Sequence, residues 1–150
     1  MTYGGRWLEQ SALIEPSNVP QACDTINGNV VLIPRAGFEK VGNISQEYTH
    51  ALGDHDYSLR AVSKGVPVYV GSGYYGHCKP TDPALWTRAE IPLGQRWRAL
   101  YTPKGVPPSQ YSVFLRNHLP RGRLWRLLKL YLRVAFPVLW SRSERGHLVG

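Results

Sequence analysis

Two aspartates with useful chemistry lie close together near the middle of the chain, at Asp54 and Asp56. A carboxylate beside a cleft can remove a proton from a hydroxyl group, and two carboxylates together can also hold a divalent cation. Gly53 precedes the pair, and Leu59 and Val62 then share one face of a helical pattern. The stretch therefore predicts a general base or a cation ligand displayed at the start of a helix.

The same stretch has a purely structural interpretation. Asp54 suits an N-cap, because its carboxylate can accept a hydrogen bond from a free backbone N–H. Asp56 would then fall in the first turn, where negative charge is favourable to the helix dipole. The helix is expected to end near Lys64 and Gly65, a cation followed by a glycine. These residues alone do not decide between a catalytic carboxylate and a well-capped amphipathic helix.

Histidines are the other metal-ligating side chains in this part of the chain, at His50, His55 and His77. Aspartate and histidine together suit manganese, magnesium or zinc. The sequence has no H-E-x-x-H pattern and no pair of cysteines at zinc spacing, so the spacing gives a metal site no independent support. His77 fits equally well as a loop residue that makes a hydrogen bond.

Short apolar segments on either side of the acidic stretch are predicted to be strands. Residues 30–33 are apolar throughout and follow a turn signal at Asn27 and Gly28, which is typical of a strand buried on both faces. Residues 66–70 are the second candidate, and their proline favours a sheet edge. A short helix over residues 34–41 is expected after the first strand. The pattern indicates an α/β unit.

After residue 80 the chain becomes helical and basic, with helices predicted over residues 92–101, 109–119 and 121–136. In the last of these, cations recur every three or four residues and therefore share a face: Arg123, Arg126, Lys129 and Arg133. Leucine and aromatic side chains cover much of the remaining surface. This composition is typical of a helix that lies on an anionic membrane surface, which makes residues 121–140 a candidate membrane contact. The alternative is that this helix packs on its own domain or on a partner.

The overall composition limits the classes of partner. The chain has 150 residues, a formal net charge of +8 and two cysteines. The length corresponds to a single domain, and the positive charge indicates an anionic partner. The two cysteines indicate an intracellular, reducing environment. No signal peptide is apparent, and no apolar run is long enough to span a membrane. Nucleic-acid binding is not favoured, because the sequence has no zinc-finger, RNP, KH or helix-turn-helix pattern.

Taken in chain order, these segments resemble the second half of a family 2 glycosyltransferase. The first segments are similar to the family's N-G-x-x-x-L-I-x-R and F-E-x-V-G patterns, and the acidic stretch is similar to its E-D-x-D-[LY]-x-x-R-A helix start. A strand and a glycine–histidine pair then follow in the family's order. The matching segments are residues 27–35, 38–42, 53–61, 64–70 and 76–77.

The resemblance implies a fold, a reaction and a location. The fold would be α/β, with part of a GT-A (nucleotide-diphospho-sugar transferase-like) sheet in residues 1–80 and a helical, basic region in residues 81–150. The reaction would be the inverting transfer of a sugar from a nucleotide-sugar donor to a hydroxyl of a cell-envelope or polysaccharide acceptor, either a carbohydrate or a lipid-linked one. The location would be cytoplasmic, at the inner face of the cell membrane if the basic region binds lipid.

The resemblance also implies roles for single residues. Asp54 would be the catalytic base that deprotonates the acceptor hydroxyl, with Asp56 in support. Arg60, one helical turn further on, would hold the acidic motif in place. Asn27 and Gly28 would lie at the substrate cleft, on the acceptor side.

A divalent metal, magnesium or manganese, is also implied, because it would neutralise the leaving diphosphate. His77 would lie close to the metal or to the donor phosphates. The chain departs from the family at Gly53, where the motif usually has a glutamate. It also lacks a counterpart of the donor-binding half and of that half's D-x-D metal motif. The sequence is therefore interpreted as the acceptor half of such an enzyme, truncated at an internal Met or encoded separately. The alternative is a non-catalytic module that binds a membrane or a partner.

Overall fold

A computed structural model describes residues 4–8, 12–50, 52–77, 79 and 82–141. These residues divide into two compact units. The first contains the described residues of Met1–Ser45 and Gly53–Pro80, and the second contains those of Gln46–Leu52 and Thr81–Gly146. The structure is mixed α/β, mostly helical with a small two-stranded sheet. The predicted α/β class is confirmed at that level, and the end of the predicted basic region, residues 142–150, lies outside the described residues.

The sheet of the first unit is an antiparallel pair of strands, β1 (Gln21–Ala22) and β2 (Tyr69–Val70). A further backbone hydrogen bond, from the N–H of Cys23 to the carbonyl of Val68 at 2.9 Å, continues the pairing. The strand predicted over residues 66–70 is therefore confirmed only at its end, and it pairs with a segment for which the sequence predicts no strand.

The strand predicted over residues 30–33 is wrong. The segment has turn and irregular backbone, and its apolar side chains are exposed, Leu32 to 91%. A buried strand needs hydrogen-bonded neighbours at its edges, and neither β1 nor β2 pairs with this segment. Val30, Val31 and Ile33 of this run instead line a cavity.

The helices of the first unit, α1 (Arg35–Val41) and α2 (Gly53–Ser63), end where the sequence predicts. Gly42 follows α1 with a φ of 86°, and Gly65 follows α2 with a φ of 68°. Glycine adopts this left-handed conformation without strain, which is why it ends a helix cleanly. The two helices share a small apolar core, formed by Val41, Tyr57 and Ala61.

The start of α2 differs from the prediction by one residue. Gly53 is the first helical residue, and Leu52 before it has a φ of 74°. Asp54 therefore lies in the first turn rather than at the N-cap, together with Asp56. Its carboxylate accepts hydrogen bonds from the N–H of His55 within the helix and from the N–H of Gly28 outside it.

The second unit is helical. It contains a short 3₁₀ helix (Leu85–Thr87), α3 (Leu93–Leu100), α4 (Pro108–His118), α5 (Arg123–Ala135) and α6 (Val138–Ser141). The three helices predicted in this region are confirmed to within a residue or two at each end. Phe136 and Pro137 separate α5 from α6. The core of the unit consists of Trp86, Leu100, Leu130 and Val134. Of the helices in the described part of the chain, none combines the length and the apolar content needed to cross a membrane.

Candidate active site

An open cavity of about 400 Å³ lies in the first unit, beside the start of α2. Most of its wall is apolar, with a few polar groups among the lining residues. Such a combination is typical of small-molecule sites, where apolar walls provide contact area and a few polar groups fix the orientation of the ligand. The lining residues are Ile26, Gly28, Asn29, Val30, Val31, Ile33, Ile44, Asp54 and Tyr57.

Among the described residues that line this cavity, Asp54 is the only carboxylate, and two backbone groups hold it in place. Its Oδ2 accepts a hydrogen bond from the N–H of Gly28 at 3.0 Å, and its Oδ1 accepts one from the N–H of His55 at 2.9 Å. An ionised carboxylate has about four lone-pair positions. The two backbone contacts therefore fix its orientation and leave both oxygens able to accept a further proton donor.

The turn before the cavity positions Gly28. Asn27 accepts a hydrogen bond through its side-chain Oδ1 from the N–H of Asn29 at 3.3 Å. This local Asx contact shapes the turn, and the turn presents the N–H of Gly28 to Asp54. The structure therefore brings Asn27, Gly28 and Asp54 together, although 26 residues separate the last two along the chain.

Asp56 has a different setting. Its side chain is 3% exposed, and its Oδ2 accepts a hydrogen bond from Nε of Arg60 at 2.8 Å. Arg60 also donates to the backbone carbonyls of Val41 and Asn43, at 3.0 and 2.9 Å, where α1 ends. Asp56 does not line the cavity. The pair instead joins α2 to the end of α1 and so supports the first turn that carries Asp54.

His77 is exposed and does not line the cavity. Among the described residues, histidine, cysteine, aspartate and glutamate form no group of three or more that could hold a metal ion. The magnesium or manganese ion that the resemblance implies therefore has no ligand group of this size in the described part of the chain. A carboxylate in the position of Asp54 can accept a proton.

His55 is a partly buried imidazole next to Asp54. Burial lowers the pKa of His55 below its usual value of 6.5, the negative charge of Asp54 opposes this change, and the positive charge of Arg6 adds to it. The net effect is a lowered pKa, so the side chain is neutral at neutral pH.

We expect the protein to become less stable as the pH falls from about 7 to about 5. Unfolding returns His55 to its usual pKa of 6.5, so the unfolded chain takes up a proton that the folded protein resists, and acid favours unfolding. Thermal unfolding followed by circular dichroism at several pH values measures this. His55→Asn should flatten the dependence, whereas His50→Asn at an exposed position should not. An equal pH dependence in His55→Asn and the wild type would contradict this explanation.

The apolar wall and Tyr57 are the parts of the site that sequence reasoning misses. Tyr57 follows Asp54 by three residues, so helical spacing alone could have indicated that both face the same side of α2. The hydroxyl of Tyr57 is buried and has no hydrogen-bond partner among the described residues. Residues 30–33 have the composition of a buried strand, so the sequence does not predict that this segment lines a cavity.

No family model matches this chain, and neither does any curated protein or solved structure. The function is therefore inferred from the cavity and from the order of the motifs in the sequence. The features available for that inference are the carboxylate of Asp54, its two backbone contacts and the apolar wall beside it.

Proposed function

We propose that this chain supplies the acceptor side of an inverting glycosyltransferase, with Asp54 as the general base. The observation that carries the proposal is the position of Asp54: an oriented carboxylate on a cavity whose other walls are mostly apolar. A sugar has apolar C–H faces as well as hydroxyl groups, so it can pack against such a wall while one hydroxyl reaches the carboxylate.

The reaction assigned to Asp54 is a single proton transfer coupled to displacement. Asp54 accepts the proton of the acceptor hydroxyl while the hydroxyl oxygen forms a bond to the anomeric carbon of the nucleotide-sugar. The bond from that carbon to the diphosphate breaks, and the diphosphate leaves with the electron pair, which inverts the anomeric centre. The base must lie within about 3 Å of the hydroxyl it deprotonates, and an oxygen on the cavity wall can meet that requirement.

The donor side is assigned to a separate segment of polypeptide. The sequence has no donor-binding motif ahead of Asn27, and the first unit is assigned to the acceptor portion of a GT-A sheet. The acceptor class proposed is a cell-envelope or polysaccharide hydroxyl, on a carbohydrate or a lipid-linked sugar, at the inner face of the membrane.

Binding of an acceptor sugar to the chain alone tests the site without a donor. In ¹⁵N-resolved NMR spectra, a panel of methyl glycosides should shift the backbone amide signals of Gly28 and His55, since both N–H groups contact the carboxylate. Shifts at these two signals, caused by at least one glycoside and saturating with concentration, support an acceptor site. Glycoside-induced shifts confined to other parts of the chain, or no shifts for any glycoside, would overturn the proposed acceptor site.

Neighbouring residues offer a matched pair of variants for the same titration. Val31 lines the cavity, and Leu32 does not. Val31→Trp should fill the cavity and remove the glycoside-induced shifts, whereas Leu32→Trp, the same change one residue along, should leave them. Equal loss in both variants would mean that the shifts do not report on this cavity.

A non-catalytic binding module is the second candidate function. The observation that favours it is the large exposed apolar surface of α5 and α6, where Leu124 and Leu139 are 77% and 71% exposed. A chain that binds a membrane but shows no glycoside-dependent shifts at Gly28 would support this candidate over the transferase.

A further inference from the structure

Helix α5 packs on its own unit through a face that includes basic side chains. Leu130 and Val134 are buried against Trp86 and Leu100. The guanidinium of Arg133 lies over the ring of Trp86, with 5.2 Å from Cζ to the ring centroid. Burial lowers the pKa of Arg133, and the other three cations of the predicted basic face are also partly buried. Helix α5 therefore packs on its own unit, the alternative that the sequence left open, and Arg133 is part of the packed face.

The opposite face of α5 is apolar and exposed. Leu124 and Leu128 are one helical turn apart and thus lie on one face, about 120° and about 160° around the helix from Leu130. Leu124, Trp125 and Leu128 are 77%, 55% and 47% exposed. Beyond the end of α5, Phe136, Val138 and Leu139 are apolar and each is more than half exposed. We call this surface the leucine face.

Half-exposed aromatic rings lie on the adjoining helix α3. Trp97 stacks on Tyr131 of α5, with ring centroids 5.6 Å apart and an angle of 22° between the rings. Tyr101, one turn after Trp97, is also half-exposed and lies with its ring centroid 6.3 Å from that of Trp97. Tryptophan and tyrosine with one apolar side and one polar end are enriched where a bilayer meets water.

The segment that carries the leucine face has charged side chains of one sign. Residues 91–141 contain no aspartate or glutamate, and their charged side chains are all lysine or arginine. Arg121 and Arg123 immediately precede Leu124, and Lys129 places its Nζ 5.7 Å from the ring centroid of Trp125. Long cationic side chains beside an apolar surface can extend their charged ends toward phosphate groups while their stems remain on the apolar layer.

We propose that the leucine face docks on the surface of an anionic phospholipid bilayer. Leu124, Trp125 and Leu128 enter the boundary between headgroups and acyl chains, and Arg121 and Lys129 contact the lipid phosphates. A bilayer fits this surface because its apolar layer lies directly beneath its anionic headgroups. The leucines can contact the apolar layer while the cations beside them contact the headgroups. The proposal does not depend on the transfer reaction, because every residue that carries it lies in the second unit.

Vesicle binding by the full chain tests the proposal. We expect the protein to co-sediment with phosphatidylcholine vesicles that contain phosphatidylglycerol, and much less with phosphatidylcholine alone. The double variant Leu124→Glu, Leu128→Glu should bind at least about tenfold more weakly, because it removes apolar insertion and adds charge that the lipid repels. Leu32→Glu is the matched control, since Leu32 is an exposed leucine of the first unit, and it should bind like the wild type.

Fluorescence identifies which residues enter the lipid. Brominated acyl chains should quench part of the tryptophan emission of the wild type, and Trp125→Phe should remove most of that quenching from the protein that remains bound. Equal binding of the wild type to neutral and anionic vesicles would overturn the proposal, and so would a loss of binding in Leu32→Glu as large as in the double variant. A third contrary result would be a wild-type protein that does not bind vesicles but forms a dimer, with the double Leu→Glu variant monomeric. Circular dichroism of each variant confirms that it is folded.

Discussion

Replacing Arg60 with alanine should destabilise the protein by about 3 kcal/mol. The change removes the ion-pair partner of Asp56, whose side chain is 3% exposed, and a buried carboxylate that loses its cation is costly. It also removes the two hydrogen bonds that Arg60 donates to the carbonyls of Val41 and Asn43. The free energy of unfolding, measured by urea titration with circular dichroism, gives the size of the effect.

A second ion pair of the first unit provides the control. Arg35 and Glu39 have the same spacing of four residues and the same 2.8 Å distance as Asp56 and Arg60, but their side chains are 92% and 59% exposed. Exposed pairs contribute less than about 1 kcal/mol, so Arg35→Ala should have a small effect. Equal losses in Arg35→Ala and Arg60→Ala would contradict the structural role assigned to the Asp56–Arg60 pair.

Local signals predict the helices of this protein well, because the residues that determine a helix end lie within a turn of it. Gly42 and Gly65 have positive φ values at the ends of α1 and α2, as a glycine after a helical pattern predicts. The contact between Gly28 and Asp54 is not a local signal. It joins residues 26 apart, and the order of motifs, rather than any spacing within one segment, places the two residues at the same cleft.

The failures of sequence reasoning concern interactions between distant segments. Residues 30–33 have the composition of a buried strand, but a strand forms only where another strand supplies hydrogen bonds, and composition does not reveal that neighbour. The face of α5 is a similar case. Cation spacing identifies which side chains share a face. It does not reveal that Leu130 and Val134 are buried against Trp86, with Arg133 over the same ring, whereas Leu124 and Leu128 are exposed.

Asp54→Asn should abolish most sugar transfer in a hybrid protein that joins this chain to the donor-binding half of a family 2 glycosyltransferase. Asparagine is nearly the same size and can still accept one of the two backbone hydrogen bonds, so the cavity should keep its shape. Its amide cannot take the proton of the acceptor hydroxyl. General-base catalysis contributes about 10²–10⁴-fold to such reactions, which is the expected loss in rate, and donor affinity should be unchanged.

The most direct test of Asp54 as the base is the single-turnover transfer rate of this hybrid with saturating donor, compared between the wild type and Asp54→Asn. Asp82→Asn is the control, since Asp82 is 90% exposed and lies outside the cavity. The account predicts a rate at least about a hundredfold lower for Asp54→Asn, with the Asp82 variant like the wild type and donor binding equal in all three proteins. A folded Asp54→Asn variant that transfers sugar at the wild-type rate would contradict it.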